Sequence, residues 1–232
     1  MTTVILVRHG RTTANSSGVL AGHTPGVGLD AVGRAQAAAL GDRFTDVRLA
    51  RLVSSPLQRC RQTAAVVART TDRAVTVDAR LAEARYGDWT GRRLSDLART
   101  RLWRTVQEHP SSVVFPGPDG EAMADVATRA VAAVRHHDRA VEAEAGGSAA
   151  WALVSHGDVI KAILADALGM HLDLFQRIAV DPASVSVVRY TDRRPFVLRV
   201  NDSAGPLSVF SPRRPNRRRT SDAPVGGGAG EP

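Results

Sequence analysis

The chain has 232 residues, 43% of them hydrophobic, which suits one domain with its own core. A single cysteine, Cys60, rules out an intramolecular disulfide and fits a reducing compartment. The formal charge of +8 invites a nucleic-acid reading, but the basic residues are Lys161 and thirty arginines, spread without interleaved aromatics, so nucleic acid is disfavoured as a partner.

No apolar run approaches the ~18 residues that a membrane helix needs. The N-terminal apolar run is also too short for a signal peptide. No membrane association and a cytoplasmic location are therefore expected.

In chain order, apolar runs of strand length alternate with longer helical patterns, which predicts an α/β sheet. Residues 2–7 read as the first strand, followed by a Gly-, Ser- and Pro-rich loop over 16–28. Asp30 reads as the N-cap of a helix to about Phe44, with Ala31, Ala35, Ala38 and Ala39 spaced for one packed face. A short strand over 51–53 leads through Pro56 into a helix over 57–69. Residues 75–77 form a third strand, and an irregular section over 81–118 holds one helix, predicted at 94–108.

A long helix is expected over 121–144, then a strongly apolar strand at 151–155 and a helix at 159–168. Residues 185–190 and 196–200 read as a terminal hairpin. The domain is thus placed at 1–202, and the Pro-, Gly-, Arg- and Ser-rich residues 203–232 as a basic disordered tail.

Chemistry gathers at strand ends. "LVRHG" closes the first strand with Arg8, His9 and Gly10, and "VSHGD" closes the late one with His156 and Gly157. Ligands of parallel sheets collect outside the carboxyl ends of strands, so the two His-Gly pairs face one crevice if their strands are neighbours. Between them, "SSPLQRCRQTA" (54–64) runs from a strand end into a helix N-terminus, which favours an anion and carries Arg59 in its first turn. Two histidines with Arg8 and Arg59 make a site for a compact dianion, since the arginine fork suits phosphate oxygens. Glu83 supplies a lone carboxylate for proton transfer. Cys60 lacks an arginine six residues on, where Val66 stands, so it reads as a structural thiol rather than a nucleophile. No metal-ligand spacing and no GxxxxGK[ST] loop occur, and neither metal nor cofactor is expected.

These four segments ("RHG", "SSPLQRCRQTA", E-x-x-x-G-x-W-x-G from Glu83 to Gly91, and "SHG") resemble the histidine phosphatase superfamily, which includes cofactor-dependent phosphoglycerate mutases. The resemblance covers about residues 2–200. It implies a three-layer sandwich like that of the mutases, a mostly parallel central sheet flanked by helices. It implies His9 as nucleophile, with Arg8, Arg59, His156, Asn15 and Gly157 around the phosphoryl group and Glu83 as proton donor. Thr12, Gly22 and His23 are expected in the substrate pocket, and specificity in 19–28 and 102–119.

The partner so implied is a phosphorylated small molecule, with a homo-oligomer left open. Family mutases carry an added segment with an arginine pair between the acid and the second histidine. Here Glu83 and His156 are 73 residues apart, shorter than in those mutases, and Arg92-Arg93 directly follows the "GDWTG" turn. The stretch 115–129 looks like the Pro-Gly-x-x-Glu run-in of phosphatase members. A metal-independent phosphomonoesterase is therefore the leading expectation, ahead of a mutase and of a non-enzymatic phospholigand-binding module. Family members commonly carry Glu after "RHG", where this chain has Arg11, expected either to add charge at the mouth or to point to solvent. His136 and His137 are expected to face solvent, and Trp89, Trp103 and Phe115 to be core.

Overall fold

A computed structural model describes residues 1–204 and Gly226. Its centre is strand β1 (Thr2–Arg8), whose residues alternate between two apolar layers. Val4 and Leu6 join one cluster, with Trp151 and Leu153. Val7 joins the other, with Ala152 and Val154. That period-two pattern on both faces is what a sheet covered on two sides requires.

The sheet has six strands in the order β3-β2-β4-β1-β5-β6, with β2 at Leu49–Ser54, β3 at Val75–Val77, β4 at Ala150–Ser155, β5 at Val185–Tyr190 and β6 at Pro195–Asp202. Only β5 runs against the others, pairing antiparallel with β1 and β6. Helices α2 (Ala31–Asp42) and α3 (Gln58–Thr71) lie together on one face, where Leu40, Cys60, Ala64 and Val67 meet Val7 and Val154. Helices α6 (Met123–Ala145) and α7 (Gly157–Ala167) cover the other, where Val126, Ala130, Ile160 and Ile163 meet Leu6 and Leu153. The expected three-layer α/β sandwich is the fold observed.

Local signals account for most boundaries. The Asp30 carboxylate accepts the Gly33 N–H at 2.7 Å and starts α2. Helix α6 stops at Gly146, whose φ of +84° suits a residue without a side chain.

Three details differ from expectation. The chain leaving β1 forms a one-turn helix, α1 (Thr13–Ser17), because Thr12 and Asn15 make a reciprocal capping box. The single helix expected over 94–108 is two, α4 (Leu94–Leu97) and α5 (Arg101–Glu108). The break falls at Thr100, whose hydroxyl accepts the Trp103 N–H and restarts the helix. His137, expected at the surface, is buried on α6, where Nε2 meets the Asp78 carboxylate at 2.9 Å and Nδ1 lies 3.3 Å from Arg51. Trp89, Trp103 and Phe115 are core, as expected. The tail expected to be disordered lies outside the described residues from 205 on, except Gly226, which lies against the sheet's C-terminal edge.

The turn after β1 is held by close packing on α2. A Cβ at Gly33 would lie 1.9 Å from the Arg11 carbonyl oxygen, and one at Gly10 would lie 2.5 Å from the Gly33 carbonyl oxygen. Gly33→Ala is expected to lower the unfolding free energy by about 1–3 kcal/mol, seen as a lower urea midpoint at unchanged slope. An unchanged midpoint would show that this contact is not tight.

Candidate active site

Two histidines face each other because β1 and β4 are parallel neighbours in equal register. Arg8 pairs with Ser155 at the end of the ladder, and the His9 N–H donates to the Ser155 carbonyl at 3.0 Å. One residue further, His9 and His156 emerge side by side with ring centroids 5.2 Å apart. The crevice they share lies at the carboxyl ends of the strands, with the N-termini of α3 and α7 aimed at it.

Each ring is fixed on one side. His9 Nδ1 donates to the Gly10 carbonyl at 2.8 Å, which leaves Nε2 as a lone pair in the cleft. Arg59 Nε donates to that Nε2 at 3.2 Å, and an Arg59 Nη donates to the Gly22 carbonyl at 3.0 Å. Burial first, then Arg59 and Arg8, holds His9 well below the ordinary imidazole pKa. His156 Nε2 lies 2.7 Å from the Ser55 hydroxyl, and Nδ1 lies 3.9 Å from a Glu83 carboxylate oxygen. Burial, then Arg59 and His9, depresses its pKa too. Both imidazoles are therefore neutral at neutral pH.

Arg8 lies beneath the cleft, 1% exposed, and donates to the Val180 carbonyl at 2.7 Å. Burial lowers its pKa to about 10, so it stays charged. Glu83 is also buried, and its carboxyl is pushed up to about 7, first by burial and then by the Asp158 charge. A proton is thus available on Glu83 near neutral pH.

The segment carrying Glu83 has little regular structure, only single turns at Ala79–Leu81 and Gly87–Trp89, and is braced from outside. Arg129 of α6 donates to the carbonyls of Arg80, Ala82 and Glu83 while its other bonds go to the Glu121 carboxylate. His23, expected in the pocket, instead places Nε2 2.7 Å from the Glu83 carbonyl and pins the loop above it.

The cleft is lined by His9, Arg59 and Glu83, by Thr12 and Asn15, and by the apolar wall of Val19, Leu20 and Leu94. Gly22 and Ala21 close one side and Tyr86 another. The second stretch expected to set specificity, 102–119, does not line this cleft; Trp103, Val106, Val113 and Phe115 are buried in the core instead. Asn15 spends its carbonyl oxygen on the Thr12 N–H and hydroxyl, and its NH₂ makes no hydrogen bond among the described residues. Gly157 opens α7 directly behind His156. Gly226 reaches the mouth, where its N–H donates to Asp158 at 2.9 Å and its carbonyl accepts from Arg8 at 3.4 Å.

Arg11 settles neither of the ways expected. Its Nε donates to Asp30 at 2.8 Å, so its charge is paired at the start of α2. Ser55, Tyr86, Arg129 and Asp158 were not singled out from the sequence. Ser55 alone had a signal, as the polar residue closing β2 beside Pro56.

The sequence matches the histidine phosphatase superfamily (branch 1) over residues 4–203, and the chain belongs to that superfamily. It is 36% identical over 137 residues to an uncharacterized protein of Mycobacterium tuberculosis, Rv0525, a match spanning 57% of this chain and 64% of that one. The chain thus covers just under two thirds of that relative's length. A probable phosphoglycerate mutase, GpmB, of Yersinia enterocolitica is 32% identical over 193 residues, covering 83% of this chain and 86% of that protein. Among solved structures, mycobacterial glucosyl-3-phosphoglycerate phosphatase is similar with a TM-score of 0.75 and 25% identity, over 86% of this chain and 98% of that one.

Cys60 lies behind His156, fully buried, and burial pushes its thiol up to about 12. In the folded protein a disulfide reagent is expected to leave it unmodified over a time in which the urea-unfolded chain reacts completely. Rapid reaction of the native thiol would contradict this packing.

Proposed function

We propose that the protein is a metal-independent phosphomonoesterase that works through a phosphohistidine on His9. The observation that carries this reading is the His9 ring, neutral and oriented by the Gly10 carbonyl, with its unprotonated Nε2 accepting from Arg59 in a cleft that also holds Glu83. Relatives named as a phosphatase and as a probable mutase support transfer of a phosphoryl group as the shared chemistry.

In the first step, His9 Nε2 attacks phosphorus as the P–O bond to the leaving group breaks. The Glu83 carboxyl proton passes to the departing oxygen, leaving a carboxylate and a free alcohol. Charge on the transferring group spreads over its equatorial oxygens, within reach of Arg8, Arg59, the Asn15 amide and His156. Gly157 opens the helix whose N-terminus adds a positive dipole there.

In the second step, water attacks the phosphohistidine and the P–N bond breaks. Glu83 takes the proton from water, and His9 and orthophosphate are released. No metal is required, because the two guanidinium groups supply the fixed positive charge. Thr12, Gly22 and the wall from Val19 to Ala21 contact the organic part of the substrate, while His23 acts on it through the Glu83 backbone. The substrate is a phosphorylated small molecule, and the reaction is placed in the cytoplasm.

A second reading has one observation in its favour, the likeness to a probable phosphoglycerate mutase. There the phosphoryl group would return to a bound phosphoglycerate rather than to water. The Arg92-Arg93 pair, which that reading needs to hold such a carboxylate, uses its backbone to fix the pocket loop: the Leu20 N–H donates to the Arg92 carbonyl at 2.9 Å, and both side chains face solvent.

With chelator present, phosphate release from a panel of monoesters is expected, and His9→Ala is expected to abolish it. Fast interconversion of phosphoglycerates with little phosphate released would favour the mutase, and silence in both assays a binding module. Glu83→Gln is expected to slow phenyl phosphate, whose leaving oxygen is the more basic, by about 100-fold, and 4-nitrophenyl phosphate far less. Equal slowing of both would remove Glu83 as the proton donor.

A further inference from the structure

Glu83 sits on a segment without regular structure, yet it must meet a leaving group over His9 and His156, which are fixed at strand ends. Arg129 and His23 hold this segment only by its backbone carbonyls. The Ser155 hydroxyl, at the end of β4, ties it to the catalytic end of the sheet through the Leu81 carbonyl at 2.8 Å, and one further bond does so through a side chain of the segment itself. The Tyr86 hydroxyl, three residues after Glu83, donates at 3.0 Å to the Asp158 carboxylate, two residues after His156. Both residues are buried, and Tyr86 is packed edge-on against Phe115 with ring centroids 4.9 Å apart. Asp158 stands in the first turn of α7, where the free N–H groups favour a carboxylate. An apolar residue of like size would pack at this position without the cost of desolvating a carboxylate.

Resting on the proposed role of Glu83, we propose that Tyr86 and Asp158 form a clamp that positions Glu83 for proton donation, making both positioning residues for the reaction. The clamp acts in two ways. Its hydrogen bond fixes the distance between the Glu83 segment and the helix that carries His156. Its negative charge favours the protonated form of Glu83, whose carboxyl Asp158 pushes up.

The charged and titratable groups around Glu83 divide by sign. Arg8 of β1 and Arg59 of α3 pull its proton off, while Asp158 of α7 opposes them. His156 faces it at 3.9 Å as a neutral ring. His23 and Arg129 touch its carbonyl rather than its carboxyl. Lys161, on the next turn of α7, directs its ammonium to Gln176 at 2.9 Å. Asp158 is thus the group that balances the two arginines on behalf of the acid.

The test is kcat and KM of the full chain against pH, for phenyl phosphate and 4-nitrophenyl phosphate, with Tyr86→Phe and Asp158→Asn. Both variants are nearly isosteric, and Tyr86→Phe keeps the ring contact with Phe115 should Asp158→Asn fail to fold. For phenyl phosphate, kcat is expected to fall about tenfold in each variant with KM changed less than about twofold, and for 4-nitrophenyl phosphate much less. Since donation needs a protonated Glu83, kcat declines as pH rises through its pKa. Removing the Asp158 charge lowers that pKa, so in Asp158→Asn the alkaline limb is expected at lower pH.

Equal losses on both substrates with an unmoved limb would overturn the clamp and leave Tyr86 and Asp158 as packing residues. Unchanged kinetics in Tyr86→Phe would overturn it as well. If Glu83→Gln is sensitive to the leaving group and the clamp variants are not, only the clamp falls. If Glu83→Gln is insensitive, the donor role falls first.

Discussion

The parallel pairing of β1 with β4 in equal register is the constraint on which the site depends. It ends with Arg8 opposite Ser155, so the next residue on each strand is a histidine. A slip of one residue would turn one ring to the opposite face of the sheet. Register is held because both faces are buried, with Leu6 and Leu153 in one layer and Val7 and Val154 in the other. The apolar patterning that folds the sheet therefore also sets the distance between the two imidazoles.

The second determinant is dehydration. His9, Arg8, Arg59, Glu83 and His156 are each 3% exposed or less. Burial acts on them in opposite directions: it strips protons from imidazoles and keeps them on carboxyls. One physical term thus gives the neutral ring and the protonated acid that the proposed reaction needs, with no separate device for each. Burial lowers Arg8 only to about 10, because guanidinium is a very strong base, and carbonyls accept from both arginines, Val180 from Arg8 and Gly22 from Arg59. In the proposed reaction, fixed charge in a dry site acts on a dianion without reorganising water.

Much of this was legible in the sequence, and the limits are physical. Strand periodicity and the Asp30 cap are local signals, and the elements built on them stand where they were expected. The His-Gly pairs announced strand ends, but whether those strands were neighbours depended on an order, β3-β2-β4-β1, that local pattern does not encode. The contacts that tune the site are also long in sequence: Ser55 meets His156 101 residues away, and Tyr86 meets Asp158 72 residues away. His137 was misplaced because a polar residue on a helix reads as solvent-facing unless its buried partner, here Asp78, is known. The break at Thr100 was missed for a related reason, since threonine is tolerated inside helices as well as at their starts.

Rapid quenching in alkali within a single turnover, followed by mapping of the phosphorylated residue, tests the central assignment most directly. A phosphoryl group on His9 Nε2 that is stable to base, lost in acid and formed no more slowly than product is expected. Full turnover with no label on His9, or a label that forms more slowly than phosphate is released, would contradict covalent catalysis by this histidine.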